Sequence, residues 1–343
     1  IGAFAGAIVI VALTIFFLIE SRDLLIPITV AIVIWYLLNA LANFFDRIPV
    51  VGEKIPHWIT LIGAVLIVLV AMALVAELIS DNISQVAAAA PAYQTNFEKL
   101  ILAASKLAGF EKTPDFAKIT DQLDIRALVS GLASTVAGFA GSLGIVLVYV
   151  LFLLIEQGSF EKKLDALFPN AEKRQEVRDL LHRMQVQIQS YVAIKTLASV
   201  ATGTISYIIL LIVGVDFAAF WGFVIFLLNY IPTIGSMLGI LLPTLLAVVQ
   251  FATLGPVLAV VIGGGLTQFL IGNVIEPRLM GTSLNISPLV VLISLAVWGS
   301  IWGLAGMFLS VPLTMIAMII FSHFAATRPI AIILSGNGEI ERS

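Results

Sequence analysis

Long uncharged stretches alternate with short polar interruptions along this chain, and their lengths define the expected elements. Residues 3–19 carry no charge and predict a first membrane helix. Glu20-Ser21-Arg22-Asp23 forms a polar turn. A second apolar run covers 24–44, with Pro27 tolerated in its first helical turn. A short loop, 46–57, leads to a third run at 58–76, where Trp58 sits as an interfacial indole would. Residues 127–155 are a fourth charge-free run of 29 residues, and 196–215 a fifth. The next run, 217–275, is 59 residues long. As one helix it would measure about 88 Å against a hydrocarbon core of roughly 30 Å, so it must turn. Asn229-Tyr230-Ile231-Pro232-Thr233-Ile234-Gly235-Ser236 is the expected break, Pro243 follows, and 250–256 offers another. Either three short segments or one discontinuous element (217–249) followed by a span fits. The last run, 279–327, predicts one long kinked span or a tight re-entrant pair, with Gly281 and Pro288 at its start and Pro312 able to bend it.

Two polar regions differ from these runs. Residues 77–126 hold seven acids and five bases, and 156–195 hold seven bases. Both read as amphipathic helices outside the hydrocarbon. A single span joins them, so they face opposite sides, and the excess of bases places 156–195 in the cytoplasm and 77–126 outside. The expected division is an N-terminal helical segment (1–76), an extracytoplasmic insert (77–126), a single span (127–155), a cytoplasmic region (156–195), a C-terminal transmembrane core (196–327) and a tail (328–343).

Composition fixes the class. The 343 residues are 60% hydrophobic and 11% charged, where soluble proteins carry about 25% charged residues. Mean hydropathy is +1.09. The fold class is therefore all-α: a polytopic membrane protein of about eight spans with broken or re-entrant helices in its C-terminal half. The uninterrupted runs argue against a β-barrel. Residues 1–19 lack a basic leader region and read as a span rather than a signal peptide. Cysteine is absent, which removes disulfides, thiolate metal sites and thiol catalysis. The three histidines are scattered, the net charge of −3 argues against nucleic acid, and no nucleotide-binding loop, zinc motif or nucleophile elbow is present. No catalytic residue, metal site or cofactor is expected.

The candidate chemistry is sparse. Residues 196–327 contain only three charges: Asp216, Glu276 and Arg278. A charge at membrane depth costs at least a few kcal/mol and ordinarily faces a bundle interior or a pathway. Glu276 and Arg278 are two apart, with Pro277 between them, and suit either a gating pair or a helix-end ion pair. Asp216 suits a span boundary or an external ion site. Asn229, Tyr230, Gln268 and Asn273 add neutral polar groups able to bind a small solute beside carbonyls freed at a break. Helix–helix hydrogen bonding is their structural alternative. Pro232, Gly235, Pro243, Pro277, Gly281, Pro288 and Pro312 are the expected hinges. The breaks at 229–235 and 276–281 are expected to lie near one another and away from lipid.

Asn229-Tyr230-Ile231-Pro232-x-x-Gly235, Pro243 and Ile275-Glu276-Pro277-Arg278-Leu279-Met280-Gly281 resemble the C-terminal signature of the autoinducer-2 exporter family, the PerM-like permeases. Leu284-Asn285-Ile286-Ser287-Pro288 and Trp298-Gly299-x-x-Trp302-Gly303-x-x-Gly306 extend the resemblance, which is richest in motifs over 187–324. The resemblance implies an eight-helix protein of the bacterial or archaeal plasma membrane that exports a small polar solute such as a quorum-sensing signal. Some members of the family are described as sodium/proton antiporters, and some as ring-like oligomers, pentamers among them. The expected partners are thus membrane lipid, a small-molecule or ion substrate, and further copies of the chain. A membrane scaffold is a reading from another class, motivated by the helices in 77–126 and 156–195.

Overall fold

The computed structural model describes residues 2–48, 55–74, 77, 78, 93, 96, 125–251, 253–280 and 285–339. Most of the polar insert expected at 77–126, and the hinge expected at Gly281, lie outside these residues. Every element described is helical. In chain order they are α1 (Gly2–Glu20), α2 (Arg22–Asp46), α3 (His57–Leu74), α4 (Ile125–Glu156), α5 (Phe160–Leu167), α6 (Ala171–Val213), α7 (Ala218–Leu228), α8 (Ile234–Phe251), α9 (Leu254–Phe269), α10 (Pro288–His323) and α11 (Arg328–Leu334). Among the described residues, seven helices are long and apolar enough to cross a membrane. Val9–Glu20, within α1, and α7 are shorter apolar helices. The protein is an all-α, multi-pass membrane protein whose C-terminal half is broken into short helices.

The chain divides into two units: 1–66, 142–195 and 279–343 form the first, and 67–141 and 196–278 the second. In the first unit, Val33 of α2, Ile188, Tyr191 and Val192 of α6, and Ile301, Trp302, Leu309 and Met315 of α10 share one apolar core. Trp302 donates its indole N–H to the carbonyl of Leu18, which ties α10 to α1. Asp46 accepts hydrogen bonds from His57 at 2.6 Å and Thr60 at 2.8 Å, closing the α2–α3 connection. Arg178 of α6 pairs with Glu161 and Asp165 of α5, so the expected amphipathic region is a helical hairpin held by ion pairs.

α6 is 43 residues long, about 64 Å, or twice the hydrocarbon thickness. The amphipathic stretch and the fifth span are one continuous helix, and the division between the two units falls inside it after Lys195.

α10 is not one span kinked at Pro312. Gly303 adopts φ 61°, ψ −137°, a conformation open essentially to glycine alone. Trp298 donates to Thr314 at 3.3 Å, although sixteen residues of straight helix would separate them by about 24 Å. A Cβ on Gly306 would lie 1.9 Å from the carbonyl oxygen of Trp298. The chain reverses at Gly303 and packs two arms together through glycine. Pro312 stays inside the second arm, and Pro288 occupies its favoured place in the first turn.

In the second unit, 217–275 forms three antiparallel helices. α7 and α8 are joined by the turn at 229–233, and α8 is followed by α9 from Leu254. Leu210, Val215, Phe220, Trp221, Val224, Ile225, Ala247 and Val260 form their core. Pro243 lies within α8 and does not break it.

Candidate functional site

The break at 229–233 is built by backbone geometry that few residues tolerate. Thr233 takes φ 60°, and Gly235 packs so tightly that a Cβ would sit 1.7 Å from the carbonyl oxygen of Leu228. Pro232 supplies the fixed φ of the turn and no donor. This turn aims two polar side chains at α6. Asn229 donates from Nδ2 to Ser199 Oγ at 3.0 Å, and the Tyr230 hydroxyl donates to Thr196 Oγ1 at 2.8 Å. Asn229 and Tyr230 are buried, as are Ser199, Thr202 and Ser206. Along α6 these hydroxyls recur at spacings of three and four, so they line one face. The result is a band of neutral hydroxyl and amide groups inside a membrane helix pair.

Close approach of the two helices depends on glycine. A Cβ on Gly203 would lie 2.7 Å from the Gly222 carbonyl oxygen, and one on Gly222 would lie 2.7 Å from Tyr207 Cβ. Small residues at such crossings let backbones meet where lipid offers no hydrophobic drive.

α9 brings further polar groups to the same end. Gln268 is buried, and its Nε2 lies 3.2 Å from the position a Cβ on Gly239 would take. That pairing sets the register of α8 against α9, and the antiparallel run then carries the end of α9 to the end of α8 that holds the 229–233 turn. Beyond Phe269 the helix widens into a π-helix, Leu270–Ile275, then resumes as α-helix over Glu276–Met280. Pro277 therefore sits in a helical stretch that continues through it, with the regular α-helix interrupted just before it. The wider turns take up the carbonyls and ring that a proline leaves unpaired or crowded in a regular helix. Glu276 is half-buried, whereas Asn273, Pro277 and Arg278 are exposed on the protein surface. The two breaks thus share one end of the unit. Asn229 and Tyr230 are sheltered there, and Arg278, in the Glu276–Met280 helix beyond α9, is not.

Asp216 lies elsewhere. It precedes α7 while Asn229 follows it, so eleven helical residues, about 16 Å, separate them. Gln250 of α8 binds this end twice, accepting from the Asp216 backbone N–H at 2.9 Å and donating to the Gly214 carbonyl at 2.8 Å. Tyr93 donates its hydroxyl to Asp216 Oδ2 at 2.7 Å, and Asn96 donates to the Gln250 carbonyl at 3.1 Å. Burial and the neighbouring carboxylate push the Tyr93 phenol well above its ordinary pKa, which keeps it a donor. These contacts fix 93 and 96 of the insert to the span ends.

Ser199, Thr202, Ser206, Tyr93 and Asn96 were not singled out in the sequence. The three-and-four spacing of hydroxyls on α6 was the available signal, and it is weak. Hydroxyls in membrane helices commonly bond their own backbone, as Thr202 does to the Ala198 carbonyl.

The family model for AI-2E family transporters matches residues 7–326. The AI-2 transport protein TqsA of Escherichia coli K12 is 30% identical over 319 residues, covering 92% of this chain and 90% of its own. The putative transport protein YhhT of the same strain is 28% identical over 323 residues, covering 92% and 88%. A putative transport protein of Borreliella burgdorferi is 36% identical over 203 residues, covering 59% of this chain and 56% of its own. The long apolar helices, the broken C-terminal half and a match across nearly the whole length agree: the chain belongs to the AI-2E family of transporters, as a multi-pass plasma-membrane protein that moves a small solute and is not an enzyme.

Proposed function

We propose that the chain exports a small, neutral, hydroxyl-rich solute of the autoinducer-2 type, with the α6–α7 polar band as its passage. The observation that carries this reading is the buried row Ser199, Thr202 and Ser206 on α6, met at one end by Asn229 on Ser199 and Tyr230 on Thr196. Neutral donors and acceptors suit a polyhydroxylated solute, whose own hydroxyls can replace the Asn229–Ser199 and Tyr230–Thr196 bonds one for one. The name of the 30%-identical relative, an AI-2 transport protein, points to the same solute class. Glu276 and Arg278, with Asn273 and Gln268, are assigned to gating at the end where α9 widens, and Asp216 to the opposite end. The chain acts as a ring of copies, the pentamer implied by its family resemblance, and native mass spectrometry of the solubilised protein reads the copy number directly.

The test is efflux from proteoliposomes loaded with autoinducer-2 or a comparable small polyol. Reconstituted protein is expected to release the solute, and Asn229→Leu is expected to slow release about ten-fold or more while the protein stays folded. Absence of flux for a broad panel of polyols, with folded protein, overturns the reading. Sodium-dependent proton movement in the same vesicles, abolished by Glu276→Gln or Asp216→Asn, would instead establish a cation exchanger.

A further inference from the structure

The Asp216 end of the second unit opens into a cavity of about 630 Å³, apart from the Asn229–Ser199 band. Two acidic residues, Glu77 and Asp216, line it with Leu74, Leu78, Leu211 and Val215, and Tyr207 and Phe217 line it as well. A second cavity, of about 290 Å³, shares Tyr207 and Ala219 with the first and runs on along α6 and α7. Its walls are Val200, Gly203, Thr204, Gly222, Phe223 and Phe226, and none of its described lining residues is charged. Phe223 and Phe226 stack with their centroids 6.0 Å apart. From Ala219 to Phe226 the groove follows seven helical residues, roughly 10 Å.

We propose that these adjacent cavities bind an amphiphilic organic cation: a single positive head between Glu77, Asp216 and the Tyr207 and Phe217 rings, with an apolar tail along the Gly203–Gly222 groove. The two chemistries are distinct and adjacent. Carboxylates and aromatic faces both attract a weakly hydrated cation, and aromatic recognition favours alkylammonium over strongly hydrated metal ions. An anionic head would meet two carboxylates, and a small cation would leave the groove unfilled. A membrane lipid tail alone would account for the groove but not for the acidic mouth. Tyr93 and Gln250 hold the Asp216 segment in place, so the mouth is formed before the ligand arrives. The site shares no residue with the Thr196–Asn229 band. It is a second ligand site, separate from the polar band, and Asp216 is the one residue it has in common with the groups assigned to the solute path.

Rhodamine 6G, a lipophilic fluorescent cation, is the probe, followed by anisotropy with the full chain in neutral detergent. Dodecyltrimethylammonium is expected to displace it, whereas dodecyl sulfate and choline are not. Glu77→Gln and Asp216→Asn are each expected to weaken binding, and together by about ten-fold or more. Both variants should fold: Glu77 is exposed, and Asn keeps an acceptor for Tyr93. Thr204→Trp, which fills the groove from an exposed position, is expected to weaken binding of the dodecyl cation as well. Displacement by dodecyl sulfate equal to that by dodecyltrimethylammonium overturns the proposal, as does unchanged affinity in the two carboxylate variants.

Discussion

Thr233 and Gly235 stand two residues apart in one turn and carry opposite constraints. Thr233 is β-branched and held at φ 60°, a conformation that costs an L-residue about 1–2 kcal/mol. Asparagine tolerates it better. Thr233→Asn is therefore expected to raise the thermal unfolding midpoint of the solubilised protein, by the equivalent of about 1 kcal/mol. A lower midpoint would mean that the threonine is held by contacts worth more than its strain. Gly235→Ala is expected to act the other way and far more strongly, since its methyl group would overlap the Leu228 carbonyl. A loss on the order of 3–4 kcal/mol puts it among the severe substitutions. An unchanged midpoint would show that the turn opens without cost. The string Asn229 to Ser236 announced this turn in the sequence through its proline and glycine. The groups that Asn229 and Tyr230 meet were not legible, because Ser199 and Thr196 lie thirty or more residues away and a hydroxyl in a membrane helix is usually self-satisfied.

Span positions were legible because an apolar run must match the thickness of the hydrocarbon: the run at 24–44 became α2 with each end shifted by two residues, and the run at 58–76 opens as α3 at His57. Reversals inside apolar sequence were harder. Gly303 is one of several glycines in its run, and nothing local distinguishes the one that takes φ 61°. Pro312 and Pro243 looked like breakers yet sit within helices, where neighbouring arms and altered turns absorb a missing donor. Pro277 shows the same effect through the π-helical stretch before it. The hairpin in α10 has a direct test, since the chain contains no cysteine. A Cβ on Gly299 would lie 3.0 Å from the Met307 side chain, whereas a straight helix would separate the two positions by about 12 Å along its axis. Gly299→Cys combined with Met307→Cys is expected to form an intramolecular disulfide on mild oxidation, read by mass spectrometry after proteolysis. Recovery of free thiols only would favour a continuous helix.

Transport follows from the whole chain rather than from any one motif. The family match extends from residue 7 to 326, through both units, and the helices α3, α4 and α6 each contribute residues to both. Within the second unit, the short helices α7 and α8 with α9 place a polar band at one end and an acidic cavity at the other. A band built only to hold helices together would remain shut to water-soluble reagents, whereas a passage must open during turnover. Single cysteines in the otherwise cysteine-free chain distinguish these directly. Ser199→Cys and Thr202→Cys, in reconstituted protein exposed to a membrane-impermeant thiol reagent, are expected to react during solute efflux and to be protected by excess solute. Leu210→Cys, in the apolar core of the same unit, should stay inert. Labelling of Ser199→Cys and Thr202→Cys no faster than that of Leu210→Cys, under conditions where efflux proceeds, would contradict a solute path along α6.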